Sequence, residues 1–218
     1  GFLCGWCYWL NNLFYFPSLL IFTITCGAYM GGPDAAQVAS RAYLITTISL
    51  LCFWFVILVN IRGLGVGKWL QNLGAVGIWV PSLILILMGG SAYYMFGPAN
   101  PITLEGLKPD FSTSTLTFWA QMCFGFAGLE VTSLLGGEVR NPRRNIPRGV
   151  LIGGLTVATI YICGTLSVYI ALPSRDISIV SGLMQAIAEV TTRVGVGWGL
   201  PIMAFLLAFS GLGGTSAW

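Results

Sequence analysis

Glu130 is the one Asp, Glu, Lys or Arg inside the long apolar runs of this 218-residue sequence. It stands within the run 115–135, where an ionised carboxyl group is costly unless it faces a polar cavity or a partner. Acids at such depth typically mark the route of an ion or a polar solute, and the alternative is a protonated acid that hydrogen-bonds to a neighbouring helix. The position favours the first interpretation and makes Glu130 a candidate gating or proton-linked acid.

Two glycines precede this acid in the segment Phe124-Gly125-Phe126-Ala127-Gly128. Glycine weakens a helix, and Gly125 lies about 18 Å along the helix from Thr113, near the middle of a bilayer about 30 Å thick. Non-helical backbone at that depth occurs where protein shields it or where it lines a cavity, although glycine pairs also let two helices pack closely. We predict a break near Gly125 whose freed N–H and C=O groups bind a small charged molecule, with Phe124 and Phe126 as an apolar wall or gate.

The composition excludes a globule that folds in water. Hydrophobic residues make up 56% of the chain and charged residues 8%, with a mean hydropathy of +0.84, whereas a soluble domain carries about 25% charged residues. The sequence therefore predicts an all-α integral membrane protein. Because it contains no histidine, His-based triads and His-ligated metals are excluded. We expect no catalytic residues, no enzyme activity, no cofactor and no metal, and we expect the six cysteines to be free thiols.

Six apolar runs approach the roughly 20 residues that a membrane-spanning helix needs. They predict one transmembrane domain over residues 1–218 with spans at about 2–30, 43–61, 73–96, 115–135, 150–172 and 194–218. A short amphipathic helix is predicted within 179–190, lying on the membrane surface.

The basic residues predict the orientation of these spans, since Lys and Arg near span ends favour the cytoplasmic side. Two gaps between spans hold six bases and the single acid Glu138, and we place both in the cytoplasm; the bases are Arg62, Lys68, Arg140, Arg143, Arg144 and Arg148. The first span then runs outward, in a multi-pass protein of the plasma membrane whose partners are the bilayer and a small molecule. So few bases on a lipid-embedded chain do not indicate nucleic-acid binding.

A longer motif follows the acid and makes a resemblance specific. Phe126-Ala127-Gly128-Leu129-Glu130 and the later Gly137-Glu138-Val139-Arg140-Asn141-Pro142-Arg143-Arg144-Asn145-Ile146-Pro147-Arg148 closely resemble the F-x-G-x-E … G-E-x-x-N-P-x-R-x-x-P-R signature of the amino acid-polyamine-organocation transporters. The resemblance implies that the six spans are similar to the third to eighth helices of a five-plus-five inverted repeat. The run 115–135 would be the broken sixth helix. The family's other helices have no counterpart, so we expect an incomplete fold that does not transport alone.

The resemblance also implies roles for individual residues. The backbone of residues 124–128 would bind the α-amino or carboxylate group of a substrate, Phe124 would cover it, and Glu130 would act in gating or proton-linked behaviour. A cytoplasmic loop motif would comprise Glu138, Asn141, Pro142, Arg144, Pro147 and Arg148, with proline in the first turn of the next helix.

The implied function is secondary active transport of amino acids across the plasma membrane by alternating access. Two kinds of alternative stay open. One is an amino acid/amine exchanger or a polyamine transporter of the same superfamily. The other is a non-transporting channel or structural subunit in which Glu130 only holds helices together. The substrate, the coupling ion and the oligomeric state are left open by the sequence.

Overall fold

The computed structural model describes residues 1–32, 41–101, 103, 108, 111–125, 128, 136–137, 139–173 and 181–218, with the backbone alone for residues 64–66, 114, 121 and 124. Regular structure in these ranges is helical, which confirms the predicted all-α class. The helices are α1 (Phe2–Ala28), α2 (Ala42–Ile61), α3 (Leu64–Phe96), α4 (Thr113–Phe124), α5 (Pro142–Ala171), α6 (Gly182–Arg193) and α7 (Leu200–Ala217).

Five helical stretches in the described ranges are long and apolar enough to cross a membrane; they are Phe2–Gly31, Ala42–Ile61, Gly67–Phe96, Pro142–Ala171 and Gly197–Ala217. Each matches a predicted span, but α3 and α5 begin earlier, at Leu64 and Pro142, where we had predicted cytoplasmic gaps. An apolar run marks the part of a helix that meets hydrocarbon, whereas the helix itself can continue into water. The sixth predicted span, 115–135, overlaps the shorter helix α4, which begins at Thr113 and ends at Phe124.

The described residues divide into two compact units, residues 1–100 with 166–218, and residues 101–165. In the first unit α7 packs against both α3 and α1. A Cβ atom built on Gly213 of α7 would lie 2.6 Å from the Cα of Gly74 in α3, so the two backbones meet without side chains between them. Small residues permit this close packing. It is common between membrane helices, because the hydrophobic effect does not drive their association in lipid.

Helix α6 is amphipathic, as predicted, but its apolar face does not meet lipid. Met184, Ile187 and Val190 are at most 1% exposed and belong to a core that also contains residues of α3 and α7. At these residues the apolar face therefore contacts protein, and the position of α6 at the membrane surface stays a prediction. The opposite side carries the exposed pair Glu189–Arg193, with 2.7 Å between Arg193 Nε and Glu189 Oε1.

Asn100, in the segment that follows α3, is hydrogen-bonded to the end of α5. Its buried side-chain amide donates hydrogen bonds of 2.6 Å to the carbonyl oxygens of Tyr169 and Leu172. The N–H group of Ala99 donates to Ile170 O at 2.9 Å. The last carbonyl groups of a helix lack intrahelical donors, so this segment satisfies the end of α5 within the first unit.

Candidate functional site

Helix α4 ends at Phe124, inside the predicted span. Its twelve residues extend for about 18 Å at 1.5 Å per residue, less than the bilayer core of about 30 Å. The N–H group of Gly125 donates to Met122 O at 3.0 Å, which is the bond of a tight turn rather than of an α-helix. Gly128 has a φ of 108°, which a helix does not contain. The predicted break near Gly125 is confirmed for these residues.

The end of α4 is electrostatically negative. An α-helix leaves its last four carbonyl groups without intrahelical donors, and its macrodipole places about half a negative charge at that end. In hydrocarbon such groups need partners. A broken helix therefore offers carbonyl oxygens that suit a cation or a hydrogen-bond donor.

One partner of this end lies on α5. The hydroxyl group of Tyr161 donates to Gly125 O at 2.9 Å. A Cβ atom added to Gly125 would lie 3.2 Å from Met122 O, which is a tight contact, and 3.5 Å from Tyr161 Cε2, which is an ordinary van der Waals distance. Glycine therefore relieves the turn after α4, and the ring of Tyr161 lies beside it. Both residues belong to the second unit.

Tyr161 was missed by the sequence analysis. It is the central residue of the predicted span 150–172, and a hydroxyl group at that depth needs a hydrogen-bond partner. That depth was the available signal, but the sequence does not show which carbonyl group the hydroxyl meets.

The predicted substrate segment is described only in part. Phe124 is the last residue of α4, while Gly125 and Gly128 form the non-helical backbone after it. Phe126, Ala127 and Glu130 lie outside the described residues, as does Glu138. The roles assigned to all of these residues stay predictions.

The predicted cytoplasmic motif builds the start of α5. The carbonyl oxygen of Asn141 accepts hydrogen bonds from the backbone N–H groups of Arg144 at 3.1 Å and Asn145 at 3.0 Å. The side chain of Asn145 donates to Arg140 O at 2.5 Å. Asn141 has a φ of 53°, a left-handed conformation that asparagine adopts more readily than most residues. These hydrogen bonds of the motif stabilise the first turn of α5.

The later residues of this motif are helical rather than part of a loop, which corrects our expectation. Pro142 is the first residue of α5, where its missing N–H group is not needed, as predicted. Pro147 lies inside α5, and Arg144 and Arg148 lie exposed on its first turns. A helix tolerates Pro147 at the loss of one backbone hydrogen bond. The prolines of the motif are therefore compatible with a helix and do not require a loop.

All six cysteines fall in described residues and are free thiols, as predicted. Within the described ranges no three Cys, Asp or Glu side chains gather as metal ligands would.

Five apolar helices and the short helix α4, which ends inside an apolar run, define the class as a multi-pass helical membrane protein. The sequence matches the amino acid permease family over residues 1–218, and the chain belongs to that family.

Three curated relatives align with nearly the whole chain. An uncharacterized transporter of Legionella pneumophila is 28% identical, covering 100% of this chain and 47% of its own length. A probable agmatine/putrescine antiporter of Lactococcus lactis is 28% identical, over 98% of this chain and 45% of its own length. A glutamate/gamma-aminobutyrate antiporter of the same species is 27% identical, over 100% and 44%. The chain thus spans about half the length of these relatives.

Proposed function

We propose that this protein carries out secondary active transport of amino acids or amines across the plasma membrane by alternating access. The observation that supports the proposal is the end of α4 at Phe124 inside an apolar segment, because backbone that leaves helical geometry at that depth is expected to line a cavity for a polar solute. The substrate would be held at residues 124–128. Family membership and the names of the relatives point the same way.

The amino group of the substrate is the part that we assign to the end of α4. Agmatine, putrescine, glutamate and gamma-aminobutyrate, named by the relatives, all carry a protonated amine, whereas only the last two carry a carboxylate. Carbonyl oxygens accept hydrogen bonds from an ammonium group and cannot donate to a carboxylate. The negative end of the helix dipole also favours a cation.

Glu130 is the proposed gating or proton-linked acid. It follows Gly128 by two residues in the sequence. Burying an ionised carboxylate at that depth is costly, so a carboxyl group there is expected to bind and release a proton. Replacing Glu130 by Gln removes the titratable proton while keeping the size of the side chain. We expect this variant to change the pH dependence of transport.

Counterflow into proteoliposomes of the full-length gene product tests the proposal. Radiolabelled gamma-aminobutyrate or glutamate is exchanged against unlabelled competitors in pairs that differ by the amine alone, gamma-aminobutyrate with butyrate and glutamate with glutarate. We expect the amines to compete and butyrate and glutarate not to compete. Putrescine extends the series to an amine without a carboxylate.

Each failure has its own meaning. Equal competition by butyrate would contradict the ammonium assignment and leave transport intact. Absence of competition by any amino acid or amine would overturn the substrate class. Flux that rises linearly with concentration and does not saturate would favour the channel alternative.

A further inference from the structure

The hydrogen bond between Tyr161 and Gly125 joins two groups that are each unfavourable in hydrocarbon by themselves. The carbonyl of Gly125 follows the end of α4 and is not part of a helix, and Tyr161 is the central residue of a predicted span. Burying either polar group without a partner is costly. At 2.9 Å each satisfies the other.

The ring of Tyr161 also limits the space around this carbonyl. A Cβ atom added to Gly125 would stand 3.5 Å from Tyr161 Cε2 and 3.9 Å from its hydroxyl oxygen, so the ring lies about one methyl group away from the Gly125 backbone. Tyr161 lies on the long helix α5, whereas Gly125 lies in a turn. The regular helix α5 therefore fixes the orientation of the turn at Gly125.

We propose that Tyr161 is a positioning residue of the transport site: its hydroxyl group holds the Gly125 carbonyl at the angle at which it accepts the substrate ammonium. This inference rests on the proposed function. A carbonyl oxygen has two lone pairs, so accepting from Tyr161 leaves a second direction for the substrate. Tyr161 acts through Gly125 and needs no contact with the substrate.

The variant Tyr161→Phe removes the hydroxyl and keeps the ring. Tyr94→Phe is the matched control, since Tyr94 lies on α3 and is 92% exposed. The first measurement needs no substrate: solid-state NMR of the 218-residue chain in lipid, with ¹³C-carbonyl glycine and ¹⁵N phenylalanine. Gly-Phe occurs twice, at Gly1-Phe2 and Gly125-Phe126, so two carbonyl resonances are selected. We expect Tyr161→Phe to shift the Gly125 resonance and not that of Gly1.

The second measurement is counterflow with the full-length gene product. Losing one hydrogen bond that orients the site is expected to raise the KM for gamma-aminobutyrate about fivefold, or about 1 kcal/mol at 1.4 kcal/mol per tenfold. The maximal exchange rate should stay unchanged, because binding is weakened equally in the ground and transition states. The thermal midpoint should fall slightly, because the Gly125 carbonyl loses its donor. Tyr94→Phe should change none of these quantities.

The remaining outcomes overturn the inference in distinguishable ways. An unchanged Gly125 resonance means that the bond does not form in lipid. A shifted resonance with an unchanged KM means that the bond forms but does not position the transport site. A lowered thermal midpoint with an equal loss of maximal rate assigns Tyr161 a purely structural role. If the unaltered protein exchanges no amine, the proposed function fails first and this inference falls with it, while the NMR result still reports whether the bond exists.

Discussion

Gly128 has a backbone conformation that other residues adopt with strain. Its φ of 108° lies where an L side chain clashes with its own backbone, at a cost of about 1–3 kcal/mol. We expect Gly128→Ala to lower the free energy of unfolding by about that amount and to weaken amine competition in counterflow, since it alters the proposed substrate segment. Thermal unfolding in detergent, followed by circular dichroism, measures the first effect.

Gly153→Ala is the control within the same unit. Gly153 is helical in α5, and an added Cβ atom would meet nothing within 4 Å. Alanine in an open helical position should stabilise the protein by up to about 1 kcal/mol. Equal destabilisation by both substitutions would show that the conformation of Gly128 is not the cause.

The part of the site that was predictable at the residue scale is the part that local chemistry determines. The two glycines before Glu130 predicted a break near Gly125, because glycine destabilises the interior of a helix. The partnership with Tyr161 was not predictable, because it depends on how the turn after α4 lies against α5 in space. Similarly, the sequence indicated proline at the start of α5 but not the left-handed conformation of Asn141.

At the scale of helices, the crossing of α3 and α7 depends on two glycines. A Cβ atom on Gly74 would lie 2.7 Å from Gly213 Cα, and backbone atoms cannot move aside cheaply. We expect Gly74→Ala to lower the free energy of unfolding by about 1–3 kcal/mol, as overpacking of a tight contact does. Thermal unfolding and the yield of monodisperse protein in detergent report the change.

Helix α3 supplies its own control for this prediction. A Cβ atom on Gly90 would meet nothing within 4 Å, so Gly90→Ala should be neutral or stabilising. If Gly74→Ala were as stable as Gly90→Ala, the helices would not be in backbone contact.

Helix existence was predictable from apolar runs, but helix ends and neighbours were not. The runs measure the length that meets hydrocarbon, and α3 and α5 begin beyond it, at Leu64 and Pro142. Periodicity located α6, yet an apolar face looks the same whether it meets lipid or protein. Val190 is buried in a protein core, and its position in the sequence carries no sign of this.

At the scale of the whole molecule, the distribution of charge predicts which ends of the helices face the cytoplasm. Arg62 precedes α3 and Arg148 lies near the start of α5, both at ends predicted to be cytoplasmic. Lys108 lies between the predicted spans 73–96 and 115–135, in a gap predicted to be outside the cell. All three side chains are exposed. Basic residues near span ends stay in the cytoplasm. The same orientation makes α4 enter from outside, so its carbonyl end at Phe124 lies about 18 Å from its external end.

Cysteine labelling of intact cells tests this orientation. In a background in which the six native cysteines are replaced, single cysteines are introduced as Arg62→Cys, Arg148→Cys and Lys108→Cys. A membrane-impermeant maleimide should label position 108 in intact cells and positions 62 and 148 only after permeabilisation, because the bilayer separates the two sets. Labelling of position 62 or 148 from outside would reverse the orientation, and α4 would then open its carbonyl end toward the opposite side of the membrane.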